Sequence, residues 1–241
     1  MSSSHKMTFI EHLEELRWVL MRIMVVNFVI ICISFYYSNI LQNILLQPIN
    51  SMNLSNFQLQ DIKITSPFMS KIVISLFTAI LISFPYVIFE LYRFIHPVFS
   101  QISKTFIFFL YVFSVFLFLI GCFFGYKYLL PVSITFFVKL VDTDVIFAPE
   151  RISYIFYSYW LIIVCGLVYQ LPVITLFLTK LRIITYYYLK QMRPYSIVLF
   201  LVLGAFLSPP DPLSQLLLAV PLLILYEISI MISYFFRVTN E

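Results

Sequence analysis

The amino-acid sequence predicts an all-α protein with several membrane-spanning helices. Of its 241 residues, 62% are hydrophobic and only 11% are charged, and the mean hydropathy is +0.99. A soluble globular domain has roughly 25% charged residues, whereas a predominantly apolar run of ~20 residues can cross a bilayer. Six apolar segments divide the chain, so we expect one integral membrane domain over residues 1–241. The approximate spans are 18–37, 68–92, 106–126, 152–179, 195–207 and 213–236.

The first two spans have recognisable starts. Span 1 follows a charged, amphipathic segment, residues 8–20, which we call the acidic segment. Span 2 opens at Ser66-Pro67-Phe68, because a serine can cap a helix and proline is tolerated in its first turn. The polar stretch 38–65 between the two spans is long enough to form a small cap of its own.

Prolines mark the places where the longer spans bend or end. Pro85 interrupts span 2, and Pro131 follows span 3. Span 4 has about 28 uncharged residues, or ~42 Å of helix where ~30 Å suffices. It must therefore tilt, bend or protrude, and Gly166 and Pro172 offer places to bend.

The last two spans are the shorter ones. Span 5 has about 13 residues, or ~20 Å of helix, before the proline-rich run 208–212 forces a turn. Only a locally thinned bilayer or buried surroundings would accommodate it. Span 6 has about 14 uncharged residues before Glu227 and continues to residue 236.

Loop charges predict the orientation of the chain. With six spans both termini lie on the same side, and that side has ten Lys and Arg residues against five on the other. The ten are Lys6, Arg17, Arg22, Arg93, Lys104, Lys180, Arg182, Lys190, Arg193 and Arg237, and the five are Lys63, Lys71, Lys127, Lys139 and Arg151. Positively charged loops stay in the compartment of synthesis, so we expect both termini in the cytoplasm or its organellar equivalent. The net charge of +4 thus indicates topology, and we expect no nucleic-acid partner.

The acidic segment contains three of the eleven acidic residues within five positions. A local role is open for two of them, because Glu11 matches a capping box and Glu14 can pair with Arg17. Glu15 lies one turn after Glu11 and has no basic residue three or four positions further along. A carboxylate pair left free at a membrane surface could bind a planar guanidinium group bidentately.

Motifs of enzymes and metal sites are absent from the sequence. The three histidines are scattered, no H-E-x-x-H or G-x-S-x-G occurs, and four glycines do not form a phosphate-binding loop. The cysteines, Cys32, Cys122 and Cys165, fall inside apolar spans without a close pair. We therefore expect neither enzymatic activity, nor a metal site, nor a cofactor.

Polar residues inside the spans are the other functional candidates. Gln170 lies beside Pro172, and two interpretations of it remain open. It could satisfy a freed carbonyl or a neighbouring helix, or it could be a polar docking point for a partner helix. Glu227 in span 6 is a similar candidate, and Glu90 one turn before Arg93 indicates an interfacial ion pair.

Five separated motifs carry the most specific information in the sequence. They are His12-Leu13-Glu14-Glu15-Leu16-Arg17 before span 1, Ser66-Pro67-Phe68 at the start of span 2, Phe94-Ile95-His96-Pro97 after it, Arg193-Pro194-Tyr195 before span 5, and Ser208-Pro209-Pro210-Asp211 through Gln215. In this order, and over nearly the whole chain, they resemble the TatC family, the receptor core of the twin-arginine protein translocase.

The resemblance implies a cup-shaped bundle of six tilted helices, the last two short. It also implies a receptor that binds twin-arginine signal peptides at the cytoplasmic face. With single-span TatA-type and TatB-type partners, such a receptor exports folded proteins using the proton-motive force. We therefore expect a bilayer-embedded subunit, homo-oligomeric within its complex. The expected location is the bacterial cytoplasmic (inner) membrane, with the plastid thylakoid and the mitochondrial inner membrane as alternatives.

Individual residues carry over from the family by position. Glu15 matches the acidic receptor residue, and Leu16 and Arg17 complete its motif. The other matching positions are Pro48, Pro85, Phe94, Tyr126 and Asp211. We expect the signal peptide to be bound by Glu14, Glu15, Leu16, Arg17, Phe94 and Ser103. We expect partner-helix or structural roles for Pro48, Pro85, Tyr126, Gln170, Tyr195, Gly204 and Asp211. The resemblance places contact with a partner helix in span 5, at Tyr195, Leu201 and Gly204.

Two positions depart from the family pattern. Ser103 stands where the family usually has a second acidic residue, so Glu14 or Glu11 would have to supply the second carboxylate. Gln170 stands where the family often has a glutamate. Because glutamine keeps the hydrogen-bonding group and removes the titratable one, a proton-linked role at this position is disfavoured.

A small-solute secondary transporter is the alternative function. Its site would be formed by Gln170, Asn27 and Glu227. Such folds often contain internal repeats with broken helices at corresponding places. The spans here differ in length and no repeat is evident, which favours the translocase interpretation.

Overall fold

The structure, a computed structural model, describes residues 9–50, 58–95, 103–140, 148–207 and 212–238, and these are almost entirely helical. Helices satisfy their own backbone groups, as a chain in a bilayer requires. The helices are α1 (Phe9–Tyr36), α2 (Ser38–Asn50), α3 (Ser66–Ile95), α4 (Lys104–Phe124), α5 (Leu130–Lys139), α6 (Arg151–Val168), α7 (Leu171–Lys180), α8 (Tyr186–Gln191), α9 (Arg193–Leu207) and α10 (Pro212–Val238). A π-helical turn, Gly125–Leu129, joins α4 to α5.

Four helical stretches of the described chain are long and apolar enough to cross a membrane. They are Ile10–Tyr36, Ser66–Ile95, Lys104–Lys139 and Arg151–Lys180, and two shorter apolar helices are Arg193–Ala205 and Leu218–Tyr234. The four long stretches overlap the first four predicted spans, and the shorter helices overlap the last two. The prediction of an all-α polytopic membrane protein is confirmed, while the count of six crossings and the side of the termini stay predictions.

Span 3 is longer than the sequence indicates, because the helix predicted to end at residue 126 continues to Lys139. The π-helical turn explains the continuation. In it the N–H of Leu130 bonds to the carbonyl of Gly125, five residues back. The wider turn lets the chain pass Pro131, which has no N–H to donate, without ending the helix.

Span 4 is interrupted just before Pro172, one of the two places where the sequence allows a bend. α6 ends at Val168 and α7 begins at Leu171, so that Pro172 lies in a first helical turn, where an N–H is not required. Gly166 has a different role, because it lies where α6 crosses α4. A Cβ atom on Gly166 would be 2.6 Å from Cε2 of Phe118, so only glycine permits this approach.

α2 is held at its proline by two tyrosines of the bundle. Pro48 has no N–H, so the carbonyl of Ile44, four residues back, has no donor within the helix. The hydroxyl of Tyr126 donates to this carbonyl at 2.6 Å, and the hydroxyl of Tyr154 donates to the carbonyl of Leu45 at 2.9 Å. Pro48 and Tyr126, both singled out from the sequence, therefore act together to dock α2.

The segment that follows α2 pairs with the start of α6. The N–H of Gln60 donates to the carbonyl of Pro149, and the N–H of Arg151 donates to the carbonyl of Gln60, at 3.2 and 3.0 Å. Arg151 also forms a salt bridge with Asp61 at 3.2 Å. These contacts and α2 together form the small cap that the polar stretch 38–65 predicts.

The buried core extends through the bundle, with buried side chains from every helix between α2 and α10. Its largest fully buried side chains include Ile74, Phe118, Leu130 and Ile155. By contrast, α1 exposes large apolar side chains such as Phe28, which is 67% exposed. An apolar surface of this kind suits contact with lipid tails.

Candidate functional site

The acidic segment forms the first turns of α1. Glu11 lies in the first turn, where a carboxylate is favoured by the helix dipole. Glu14 and Arg17 are exposed, whereas Glu15 and Leu16 are half-buried. This end of α1 therefore presents carboxylates to the surroundings, with Glu15 partly sheltered among them.

Two predicted site residues, Glu15 on α1 and Phe94 on α3, are brought together by His12. The His12 ring stacks on Phe94 with 4.1 Å between centroids and 13° between planes. His12 Nδ1 lies 4.0 Å from Glu15 Oε2, which is too long for a hydrogen bond. Both atoms are shielded from solvent and have no hydrogen-bond partner among the described residues. The Glu15 side chain as a whole is 28% exposed, so it stays partly open to an incoming donor.

Sequence reasoning missed the part played by His12. The spacing of three residues between His12 and Glu15 could have indicated their proximity on one helical face. The stack on Phe94 could not be foreseen, because it joins residues 82 positions apart in the chain.

A buried ion pair fixes this end of α1 against α3. Arg22 donates from Nε to Glu90 Oε1 at 3.1 Å and from Nη2 to Oε2 at 2.8 Å, and the Tyr86 hydroxyl donates to Oε1 at 3.0 Å. The Glu90 side chain is only 3% exposed, so these bonds compensate a buried carboxylate. The predicted interfacial pair with Arg93 is thus replaced by a pair between helices.

Further polar contacts between α1 and α3 lie deeper in the bundle, and we call this contact between the two helices the α1–α3 seam. Ser83 of α3 donates its hydroxyl proton to Asn27 Oδ1 at 3.0 Å, and Asn27 Nδ2 donates to the carbonyl of Ile23 at 3.0 Å. The stack, the ion pair and this amide contact lie along one helix pair. The position of the acidic segment is therefore set by α3.

Ser103, where the resemblance implies an acid, is the N-cap of α4. Its side chain accepts a hydrogen bond from the N–H of Phe106 at 3.3 Å, and its backbone is extended, at φ −64° and ψ 142°. A serine in this position stabilises the helix start. The residue is exposed, and Lys104 follows it, so this part of the described chain supplies no carboxylate.

Gln170 is bonded to a neighbouring helix within the chain. Ser114 of α4 donates its hydroxyl proton to Gln170 Oε1 at 2.6 Å, and Gln170 Nε2 donates to the Ser114 carbonyl at 3.1 Å. The residue is 7% exposed. Of the two interpretations of Gln170, the structure shows the bond to a neighbouring helix.

The residues assigned to a partner contact lie on α9 and near it. Tyr195 is 68% exposed on this helix. Gly204 instead faces α10, because a Cβ atom on it would lie 3.1 Å from the carbonyl oxygen of Gln215. Gln215 Nε2 in turn donates to the carbonyl of Leu201 at 2.9 Å. Asp211 lies outside the described residues.

The residues proposed for a solute site bond to partners on different helices. Gln170 bonds to Ser114, while Asn27 bonds to Ser83 and to the Ile23 carbonyl. Glu227 forms a salt bridge with Arg193 at 2.6 Å. Each of the three polar groups therefore has its own partner within the chain.

Pro85, the proline predicted to interrupt span 2, lies inside α3, which continues past it to Ile95.

The fold and the acidic segment define a class of protein. The chain is a polytopic helical membrane protein that presents carboxylates at one end of its bundle. Among the residues that the structure describes, no group of His, Cys, Asp and Glu could hold a metal ion. Such a surface suits the binding of a basic partner.

Comparisons with known proteins give the particular family. The family described as "Sec-independent protein translocase protein (TatC)" matches residues 11–221. The chain is 33% identical over 233 residues to the TatC protein of Carboxydothermus hydrogenoformans, covering 96% of this chain and 94% of that one. It is 35% identical over 235 residues to the TatC protein of Rickettsia prowazekii, covering 95% of this chain and 93% of that protein.

Solved structures agree with these relatives. A crystal structure described as the twin arginine translocase receptor TatC superposes with a TM-score of 0.79 and 31% identity, covering 93% of this chain and 99% of the other. A second crystal structure of the receptor, in DDM, superposes with a TM-score of 0.81 and 32% identity, covering 92% of this chain and 99% of the other. The chain belongs to the TatC family. It is a multi-pass membrane component of the Tat translocase complex and not an enzyme.

Proposed function

We propose that the chain is the signal receptor of its translocase and that the acidic segment binds the paired arginines of a twin-arginine signal peptide. The observation that carries this proposal is the Glu15 carboxylate, whose side chain is 28% exposed and whose Oε2 atom has no hydrogen-bond partner among the described residues. A guanidinium group supplies the missing donors in a planar fork. The description of two similar structures as a twin arginine translocase receptor supports the same function.

The second arginine of the signal is bound by another carboxylate of the acidic segment. Ser103 is neutral and is used as a helix cap, so it cannot provide a charge. Glu14 is exposed next to Glu15, and Glu11 lies one turn before it. Three carboxylates on one helical end thus replace the two-position acidic site that the family pattern implies.

The stack between His12 and Phe94 gives the site its rigid side. A half-buried carboxylate beside two parallel rings is held in place at little entropic cost on binding. The Arg22–Glu90 pair fixes the same helix end one or two turns further on. We therefore propose that Phe94 helps to hold Glu15 in place, and that Leu16 and Arg17, as the motif implies, also belong to the signal-binding surface.

Size favours a receptor that needs partner subunits. A folded domain of 100 residues has a radius of gyration of ~13 Å and is some ~30 Å across. Six helices of ~10 Å diameter cannot ring such an opening. We propose single-span TatA-type and TatB-type partners, with Tyr195 on the exposed face of α9 contributing to the contact.

The proposal includes the topology and location of the chain. All of residues 1–241 form one membrane domain with six crossings, both termini are cytoplasmic, and the acidic segment faces the compartment where cargo is made. The membrane is the bacterial cytoplasmic membrane. Energy for transport comes from the proton-motive force.

A direct test is the binding of a labelled twin-arginine peptide to the purified chain in lipid nanodiscs, compared with the same peptide carrying two lysines. Lysine keeps the charge and removes the planar fork, so the comparison isolates guanidinium recognition. We expect tighter binding of the arginine peptide. Equal affinity for both peptides would overturn the proposed mode of recognition.

A further inference from the structure

A pocket between the end of α3 and the start of α4 lies beside the site described above, and its lining includes none of the predicted signal-binding residues. Its volume is about 320 Å³, and it is lined by Phe89, Tyr92 and Arg93 of α3 and by residues of α4 that begin at Lys104. Both helices end here, so the pocket lies at the membrane interface on the side of the α1 N-terminus. This volume is near the lower end of what a small-molecule site has, and it suits part of a larger ligand.

The walls of the pocket are apolar and aromatic. The rings of Phe89 and Tyr111 meet edge to face, with 6.0 Å between centroids and 75° between planes. Phe108 at the pocket is 67% exposed. From Lys104 to Tyr111 the helix descends ~10 Å, so the pocket extends from the headgroup level into the region of the acyl chains. Hydrocarbon is the chemistry that fits these walls.

The mouth of the pocket is positively charged. Arg93 and Lys104 are exposed, and neither forms a salt bridge within the described part of the chain. The nearest carboxylate on α3, that of Glu90, is already held bidentately by Arg22. Lys104 is the first residue of α4, and the first turn has no acidic residue to offset the positive end of the helix dipole. Two cations without a salt bridge, above an apolar pocket, favour an anion with a hydrocarbon tail.

We propose that this pocket binds an anionic phospholipid. The phosphate lies between Arg93 and Lys104, and the upper part of one acyl chain fills the space between Phe89 and Tyr111. Basic pockets between transmembrane helices bind anionic headgroups in this way. A twin-arginine peptide does not fit the same place, because the two cations at its mouth would repel the guanidinium groups.

The test is native mass spectrometry of the purified full chain in detergent, with added phosphatidylglycerol or phosphatidylcholine. We expect phosphatidylglycerol to bind more tightly than phosphatidylcholine. In the double variant Arg93→Gln/Lys104→Gln its affinity should fall roughly 25-fold, because each basic residue near the surface contributes about fivefold. Thermal unfolding in detergent verifies that both chains are folded.

A matched control removes the same charge from the same side of the membrane. Arg182 and Lys190 are exposed residues outside the pocket, and the double variant Arg182→Gln/Lys190→Gln should keep the original affinity. Equal losses in the two double variants would overturn the proposal, because they would indicate general attraction to basic protein. Equal affinity for phosphatidylglycerol and phosphatidylcholine would also overturn the proposal.

Two further additions identify the ligand. Glycerol 3-phosphate carries the charge without a tail, and we expect it not to displace the lipid at equal concentration. A twin-arginine peptide should also leave the lipid bound. Displacement by either would overturn the assignment of the pocket to a phospholipid.

Discussion

Glu15 is the central residue of the candidate site, and its carboxylate lies beside the stacked rings of His12 and Phe94. His12 Nδ1 lies 4.0 Å from the Oε2 atom and does not bond to it. The carboxylate therefore lacks a charged partner within the described residues, and a guanidinium group would supply one on binding. The residue is therefore suited to recognition more than to stability.

We predict that Glu15→Ala weakens binding of a twin-arginine peptide roughly tenfold to hundredfold while the protein stays folded. Hydrogen bonds to charged groups are worth about 1.5–3 kcal/mol, whereas a half-exposed side chain contributes little packing. Peptide binding in nanodiscs and thermal unfolding in detergent measure the two quantities. Glu227→Ala, which removes a half-exposed carboxylate elsewhere, is the control. Undiminished binding by Glu15→Ala would refute the assignment.

Ser103 permits the converse experiment, because it stands where the family pattern implies an acid. We predict that Ser103→Glu strengthens binding of the peptide roughly tenfold by adding a carboxylate near the end of α3. Ser103→Gln loses the same helix cap without adding a charge, so it separates the electrostatic gain from the structural loss. If both variants bind alike, the protein does not use a second acid at this position.

Among the helices, the α1–α3 seam joins the acidic segment to the rest of the bundle. Two of its polar contacts, Arg22–Glu90 and Asn27–Ser83, are five residues apart on α1 and seven residues apart on α3. α1 otherwise exposes much of its apolar surface. The seam therefore determines how firmly the receptor surface is held.

We predict that Glu90→Gln lowers the free energy of unfolding by about 2 kcal/mol, because it leaves Arg22 without its buried partner. Arg22 is 38% exposed, so water can take over part of the lost interaction. The exposed pair of Arg193 and Glu227 provides a comparison, and Glu227→Gln should cost less than about 1 kcal/mol. Thermal unfolding of both variants in detergent tests this, and equal losses would show that burial of the pair is unimportant.

The crossing of α4 and α6 depends on glycine. A Cβ atom on Gly121 would lie 2.8 Å from the carbonyl oxygen of Cys165 and 2.9 Å from Cα of Gly166, both backbone atoms. We predict that Gly121→Ala destabilises the protein by about 1–3 kcal/mol, as overpacking does. At Gly204 the nearest atoms are 3.1 Å away or more, so Gly204→Ala should cost less. Unfolding temperatures of the two variants provide the comparison, and no loss in Gly121→Ala would contradict the packing argument.

For the molecule as a whole, the open question is which parts face which compartment. Six crossings would place Ile62, beside α2, and Thr185, before α8, on opposite sides of the membrane. We predict that in intact cells a membrane-impermeant thiol reagent labels Ile62→Cys but labels Thr185→Cys only after the cells are opened. Both positions are exposed. The unsubstituted chain is the control, since its three cysteines lie within helices predicted to be in the membrane. Labelling of both variants in intact cells would rule out the predicted topology.

Local patterns of the sequence were enough for the class of protein, the approximate places of the four long helices, the interruption near Pro172 and the acidic segment, but not for the end of span 3. These features depend on composition and on spacings of a few residues, which a single chain displays directly. The five separated motifs, in their order along the chain, indicated the TatC family. Their order along the chain carries that information without any knowledge of contacts.

The pairing of polar groups required the folded structure. Glu90 bonds to Arg22, 68 residues away, and not to Arg93 one turn further on. Gln170 bonds to Ser114, 56 residues away, and Tyr126 reaches the carbonyl that Pro48 leaves free on another helix. Such pairs depend on how two helices cross and on their relative register. Neither quantity is visible in the periodicity of one helix, because each is set by packing between helices that are distant in the chain.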